Sequence, residues 1–161
     1  MRRSNFQNGS GVIEVIIGTA ILVGVFTVLG SIARYSLTMS EDANLRIRSS
    51  LLASEGIEAV KSIRDRGWTS YIATLTPGTD YYATLWNGAW VATTTATSSD
   101  TLFTRRFTIA DVSRDASDDI VASGGTNDPN TKKVTVTVTW MHKGLQRQDR
   151  ISTYITNIFG N

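Results

Sequence analysis

The chain has no cysteine and a single histidine, His142. Without a thiol there is no disulfide framework, no thiolate nucleophile and no cysteine-ligated zinc or iron–sulfur centre, and one imidazole makes no histidine cluster for a metal. The nucleophile elbow, the phosphate loop, the dinucleotide fingerprint and a paired set of catalytic acids are missing as well. These absences point away from an enzyme and call for no cofactor. Charge of one sign is also scarce: Lys and Arg number 16 against 14 Asp and Glu, and two of the cations, Arg2 and Arg3, stand at the extreme N-terminus. No dense basic face is available to displace phosphate counterions, so nucleic acid is not an indicated partner. What remains is 161 residues with 41% apolar and 19% charged content, enough for one ordinary domain and a short appendage.

The most uneven feature is the run from Gly11 to Ala33, apolar or small throughout except for Glu14. At 1.5 Å per residue it makes a helix of roughly 34 Å, long enough to cross a bilayer core. Arg2 and Arg3 ahead of it favour a cytoplasmic N-terminus, so the chain after Arg34 is expected outside the cytoplasmic membrane. A carboxylate within such a helix costs about 2.5 to 3.5 kcal/mol at mid-membrane. Glu14 therefore needs either a headgroup-level position or a partner.

The stretch Gly9-Ser10-Gly11-Val12-Ile13-Glu14-Val15, behind a short polar leader, resembles the processing site of type IV prepilins and type II secretion pseudopilins. The resemblance implies a leader over 1–9 cut after Gly9 by a prepilin peptidase/methyltransferase, a new N-methylated terminus at Ser10, and a Glu14 that pairs with the terminal ammonium of a neighbouring subunit. Such a pair supplies the counter-ion that a buried carboxylate requires. Ser10 stands where that family most often has phenylalanine, and no proline kinks the helix. Gly18, Gly24 and Gly30 offer either backbone looseness or close helix–helix packing. The implied partners are other pilin subunits, an assembly platform and the membrane; the implied location is the cytoplasmic membrane first and a surface filament afterwards. The same residues admit a secretory signal peptide, because Ser31-Ile32-Ala33 fits small-x-small cleavage after Ala33 and would release a soluble binding domain. A pseudopilin of a secretion or DNA-uptake machine is a third reading.

Beyond Arg34 the apolar spacing becomes helical, with Leu45, Leu52, Ala53, Gly56, Ile57, Val60 and Ile63 in one stripe and Glu55, Glu58, Lys61 and Asp65 opposite. Lys61 is spaced to pair with Glu58 or Asp65. The run from Ala53 to Trp68 is similar to a stretch common in minor-pilin-like proteins. The expected divisions are thus a membrane and assembly half over 10–33, an amphipathic half over 34–67 and a β-rich head over 68–161.

From Tyr71 the pattern turns to period two. Pro77-Gly78 marks a turn, and Asp80 to Trp86 and Ala89 to Thr95 flank Asn87-Gly88, a strong hairpin signal. Leu102 to Ala110 reads as a strand, Asp111 to Thr131 as a long polar loop, and Lys133 to Trp140 as a strict alternation of Val and Thr that Lys143-Gly144 turns back into Leu145 to Ile158. The fold expected is α+β: one long helix packed on an antiparallel meander of about five strands, apolar face toward the helix stripe. The resemblance implies the pilin lollipop.

Smaller features carry weaker functional signals. Asp115, Asp118 and Asp119, with Asp111 and Asp128 nearby, are a weak calcium candidate without EF-hand spacing. Arg105 and Arg106 adjoin, but neighbouring strand residues point to opposite faces. The stretch Thr93 to Ser99 suits a flexible connector or O-linked sugar. Trp86 and Trp90 are candidates to meet a surface ligand, and His142 is expected to be exposed beside the last turn.

Overall fold

The structure, a computed structural model, describes residues 10–96 and 101–160. It is α+β: helix α1 (Ser10–Arg66), one π-helical turn (Trp68–Ile72), and strands β1 (Tyr82–Trp86), β2 (Ala89–Thr93), β3 (Phe103–Arg114), β4 (Ile120–Val121), β5 (Thr126–His142) and β6 (Leu145–Thr156). The chain divides into two compact units, Met1–Leu45 and Arg46–Asn161.

Among the described residues the first unit is helix throughout. It contains no proline, and from Val12 to Met39 its large apolar side chains are exposed on every side.

In the second unit the helix stripe is buried against the main sheet. Ala53, Ile57, Val60 and Ile63 are buried as their spacing predicts, joined by Ala59 and Ser49. Ser49 is accommodated because its hydroxyl lies 2.9 Å from the Arg46 carbonyl and 3.2 Å from Asp149 Oδ2, its single proton donated to one or the other. Gly56 marks the closest approach of helix and sheet: a Cβ there would lie 2.8 Å from Val136 Cγ1 and 3.0 Å from Arg105 Cδ. The polar face pairs Lys61 with Glu58 at 2.8 Å, while Asp65 is taken by Arg64 at 2.7 Å.

The sheet differs from the expected five-stranded meander. Six strands form two antiparallel sheets, a separate β1–β2 hairpin and a four-stranded sheet in the order β4-β3-β5-β6. The hairpin joins the larger sheet through one bridge, where Tyr81 and Phe107 exchange backbone hydrogen bonds of 2.8 and 2.7 Å. Asn87 and Gly88, at φ of 50° and 77°, close the hairpin as the sequence predicts. The π turn replaces the extended backbone expected at Tyr71, with Trp68 and Ile72, one turn apart, buried together.

The stretch 111–131 is mostly strand rather than loop. β3 continues to Arg114 and β5 starts at Thr126, with an irregularity that pairs Asp111 with Lys132 but Val112 with Asp128. Residues 129–131 bulge out there, so Pro129 sits where no ladder N–H is required. Along β5, Val134, Val136, Val138 and Trp140 line the helix side and are buried. Phe103 and Trp140 face each other across strands with ring centroids 5.7 Å apart. Thr137 and Thr139, on the opposite face, are buried too; Thr137 lies between Arg106 and Arg150 in the register, whose long side chains flank it. β6 is an edge strand, and there the Arg150 amide donates to Asp149 Oδ1 at 2.9 Å.

Candidate functional site

The apolar part of α1 is long and apolar enough to cross a membrane, and none of it is buried. Helices of globular domains carry one apolar stripe; a helix apolar all round suits a membrane or a bundle of like helices. Val12, Ile13, Val15 and Ile16 occupy four different directions around the axis and are all exposed. The polar side chains within the run are internally satisfied. Thr19 donates to the Val15 carbonyl at 2.7 Å, Thr27 to Val23 at 2.8 Å and Ser31 to Thr27 at 2.9 Å. These back-bonds consume the hydroxyl donors, so the segment presents little polarity to a hydrocarbon environment.

Glu14 is the exception. It is exposed, one turn into the helix that opens at Ser10, and no group among the described residues neutralises it. Gly18, Gly24 and Gly30 have open space where a Cβ would stand. At Gly24 the missing side chain leaves a shallow apolar groove lined by Ile21, Val25, Val28 and Leu29. Gly9 and the leader 1–9 lie outside the described residues, as do residues 97–99 of the threonine-rich stretch.

The other candidates are placed differently from one another. The aspartates of the calcium candidate are organised around a cation the protein already carries. Arg114 donates to Asp128 Oδ2 at 2.7 Å and to the Asp118 carbonyl at 2.7 Å, and its Nε lies 3.6 Å from the Asp118 carboxylate. Asp115 Oδ1 accepts the Ser117 and Asp119 amides at 2.9 and 3.0 Å, closing the turn between β3 and β4. Among the described residues no group of three or more His, Asp or Glu is placed to hold a metal ion. Asp118 thus faces Arg114, and Asp115 serves the local backbone. The Arg114 hydrogen bond holds the Asp128 carboxyl down at about 2, with Thr131 and the Asn130 amide adding to the effect.

Arg105 and Arg106 diverge as adjacent strand residues must. Arg105 turns to the helix, where it donates to the Leu52 carbonyl at 3.1 Å and meets Glu55 at 3.2 Å with its side chain only 9% exposed. Arg106 pairs with Asp80 on the other face at 3.2 Å. Trp86 stands 68% exposed at the hairpin tip, but Trp90 is half-buried. It is held by the Arg66 bond to its carbonyl at 2.7 Å and by Arg105 lying 5.7 Å from its ring. His142 is half-buried rather than exposed, since it lies within β5 opposite Leu145.

Sequence reasoning missed the Arg114–Asp128 pair and the Arg105 anchor. Both join residues remote in sequence, and the available signal was only an arginine facing the apolar side of a strand. No family model, no curated protein and no solved structure matches the chain.

Proposed function

We propose that this chain is a structural subunit of the type IV pilin kind, minor-pilin-like, made as a prepilin, cleaved after Gly9, N-methylated at Ser10 and assembled into a filament by packing of its apolar helix. The observation that carries this reading is the lone Glu14 carboxylate on a helix otherwise apolar in every direction. In a membrane or a helix bundle that carboxylate needs a cation, and the ammonium of a neighbouring Ser10 terminus supplies one of the right charge. The self-satisfied hydroxyls of Thr19, Thr27 and Ser31 and the open positions at Gly18, Gly24 and Gly30 suit the same environment. The second unit acts as the displayed head.

The test is the intact mass and N-terminal sequence of the native protein from membranes and from sheared surface material. A methylated chain that starts at Ser10 and is present in the sheared fraction is expected. A chain that starts at Arg34 in the medium would place Glu14 in a discarded signal peptide and leave a secreted binding domain. Glu14→Ala should be processed normally yet be depleted from the sheared fraction.

A further inference from the structure

Two exposed charges on the first unit, Arg34 and Glu41, have no partner on their own helix. Side chains pair along a helix at three and four positions. Arg34 meets Gly30, Ser31, Leu37 and Thr38 at those offsets, and Glu41 meets Leu37, Thr38, Asn44 and Leu45. The two charges are too far apart to reach each other, about 10.5 Å along the axis, but they share a face, because seven residues fall only about 20° short of two full turns. In a parallel pair, opposite charges one heptad apart on one seam are self-complementary only under a slide.

We infer that this seam docks a second copy of the chain in parallel, slid along the axis by one heptad, so that Arg34 of one copy pairs with Glu41 of the next. The inference rests on the filament reading above and names the register of its helix contact. In an unslid parallel pair, Arg34 opposes Arg34 and Glu41 opposes Glu41, two repulsions at closest approach. A slide of three or four residues sets Arg34 beside Leu37 or Thr38 and leaves both charges unmatched. The one-heptad slide turns both repulsions into an ion pair just beyond the apolar run.

The apolar part of the seam agrees. The same slide carries Val23 of one copy to the level of Gly30 in its neighbour, and Gly30 of the first to the level of Leu37. Val23 and Leu37 are exposed, and Gly30 has no atom within 4 Å of the position a Cβ would take. Large side chains thus meet the open glycine instead of each other, which permits close helix packing. The contact is heterologous: each copy uses Arg34 toward one neighbour and Glu41 toward another, so it does not close on a pair and propagates as an open assembly.

The absence of cysteine makes the register directly readable. Full-length R34C, E41C and R34C/E41C are produced in the native cell, and membrane and sheared fractions are oxidised and resolved without reductant. The double variant is expected to give a ladder of dimers, trimers and higher species, whereas each single variant stays largely monomeric. As a second measure, R34E and E41R should each lower incorporation into sheared material by about fivefold, and R34E/E41R should restore it. An R34C dimer as strong as the double-variant product would show an unslid pair and overturn the proposal. A double variant that remains monomeric in membranes and in sheared filaments would overturn it while leaving the filament reading intact. A ladder in membranes with no chain in the sheared fraction would support the slid contact and sink the filament.

Discussion

Gly56 is where the helix and the main sheet of the second unit come closest, and replacing it with alanine tests that separation directly. In isolation the change favours the helix by about 1 kcal/mol, because glycine is the poorer helix former. In this protein the new methyl carbon would lie 2.8 Å from Val136 Cγ1, 3.4 Å from Val136 Cγ2 and 3.0 Å from Arg105 Cδ. Val136 is fully buried and cannot swing outward. Arg105 is tethered at its far end to the Leu52 carbonyl and Glu55, so moving its stem loosens both bonds. Overpacking of this kind costs about 1 to 3 kcal/mol. Set against the helix gain, Gly56→Ala should be destabilising by about 1 kcal/mol, a drop of about 4 °C in Tm for a unit of this size. Thermal unfolding of the full chain in detergent, followed by far-ultraviolet circular dichroism, reads the shift. Pairing the change with Val136→Ala removes the opposing methyl groups, so the double variant should be less destabilised than the two single changes sum to. A Gly56→Ala protein more stable than the parent by the full helix gain would refute the reasoning, since it would mean that helix and sheet are not held at this separation.

Other predictions follow from the same packing. Asp128 is held at about 2, below the ordinary 3.8, so its contribution to stability is complete above about pH 4 and is lost as pH falls toward 2. Asp128→Asn should therefore flatten the acid limb of a Tm-against-pH curve and cost about 1 kcal/mol at neutral pH; an unchanged acid limb would count against the Arg114 pairing. Arg105→Met keeps the stem beside Gly56 but removes the bonds to Leu52 and Glu55, and should lower Tm by a few degrees, while Arg105→Ala should lower it further by vacating the packed stem. Gly125→Ala would drive a Cβ into the Arg114 carbonyl oxygen at a φ of 77°, and should destabilise more than any of these.

The residues that announced their structure are those whose two faces meet different surroundings. The helix stripe from Ala53 to Ile63 and the Val–Thr alternation of β5 were legible because one side packs and the other does not. Between Asp111 and Thr131 that contrast is absent: residues 113–114 and 126–127 lie where little covers the sheet, so polar side chains suit both faces and a strand looks like a loop. Pro129 strengthened the loop expectation, since only the bulge that frees it from the ladder makes it compatible with β5. The Asn87-Gly88 hairpin was legible as a hairpin, but turn chemistry is local and says nothing of which sheet it joins. The candidate helix was readable in full, including Glu14, because an acid in an apolar run violates a rule visible in one dimension. Around Asp115, Asp118 and Asp119, composition shows the acids and not the arginine that faces them, so the Arg114 pairing was not legible.

The outer edge of β6 bears on whether second units associate edge to edge. Twelve residues of unpaired strand edge would ordinarily template fusion with the sheet of another copy. Here Asp149 turns its carboxylate onto the Arg150 amide and so blunts one of the donors a foreign strand would seek. Arg147 and Arg150 add like charge along the same margin, which opposes edge-to-edge pairing of two copies.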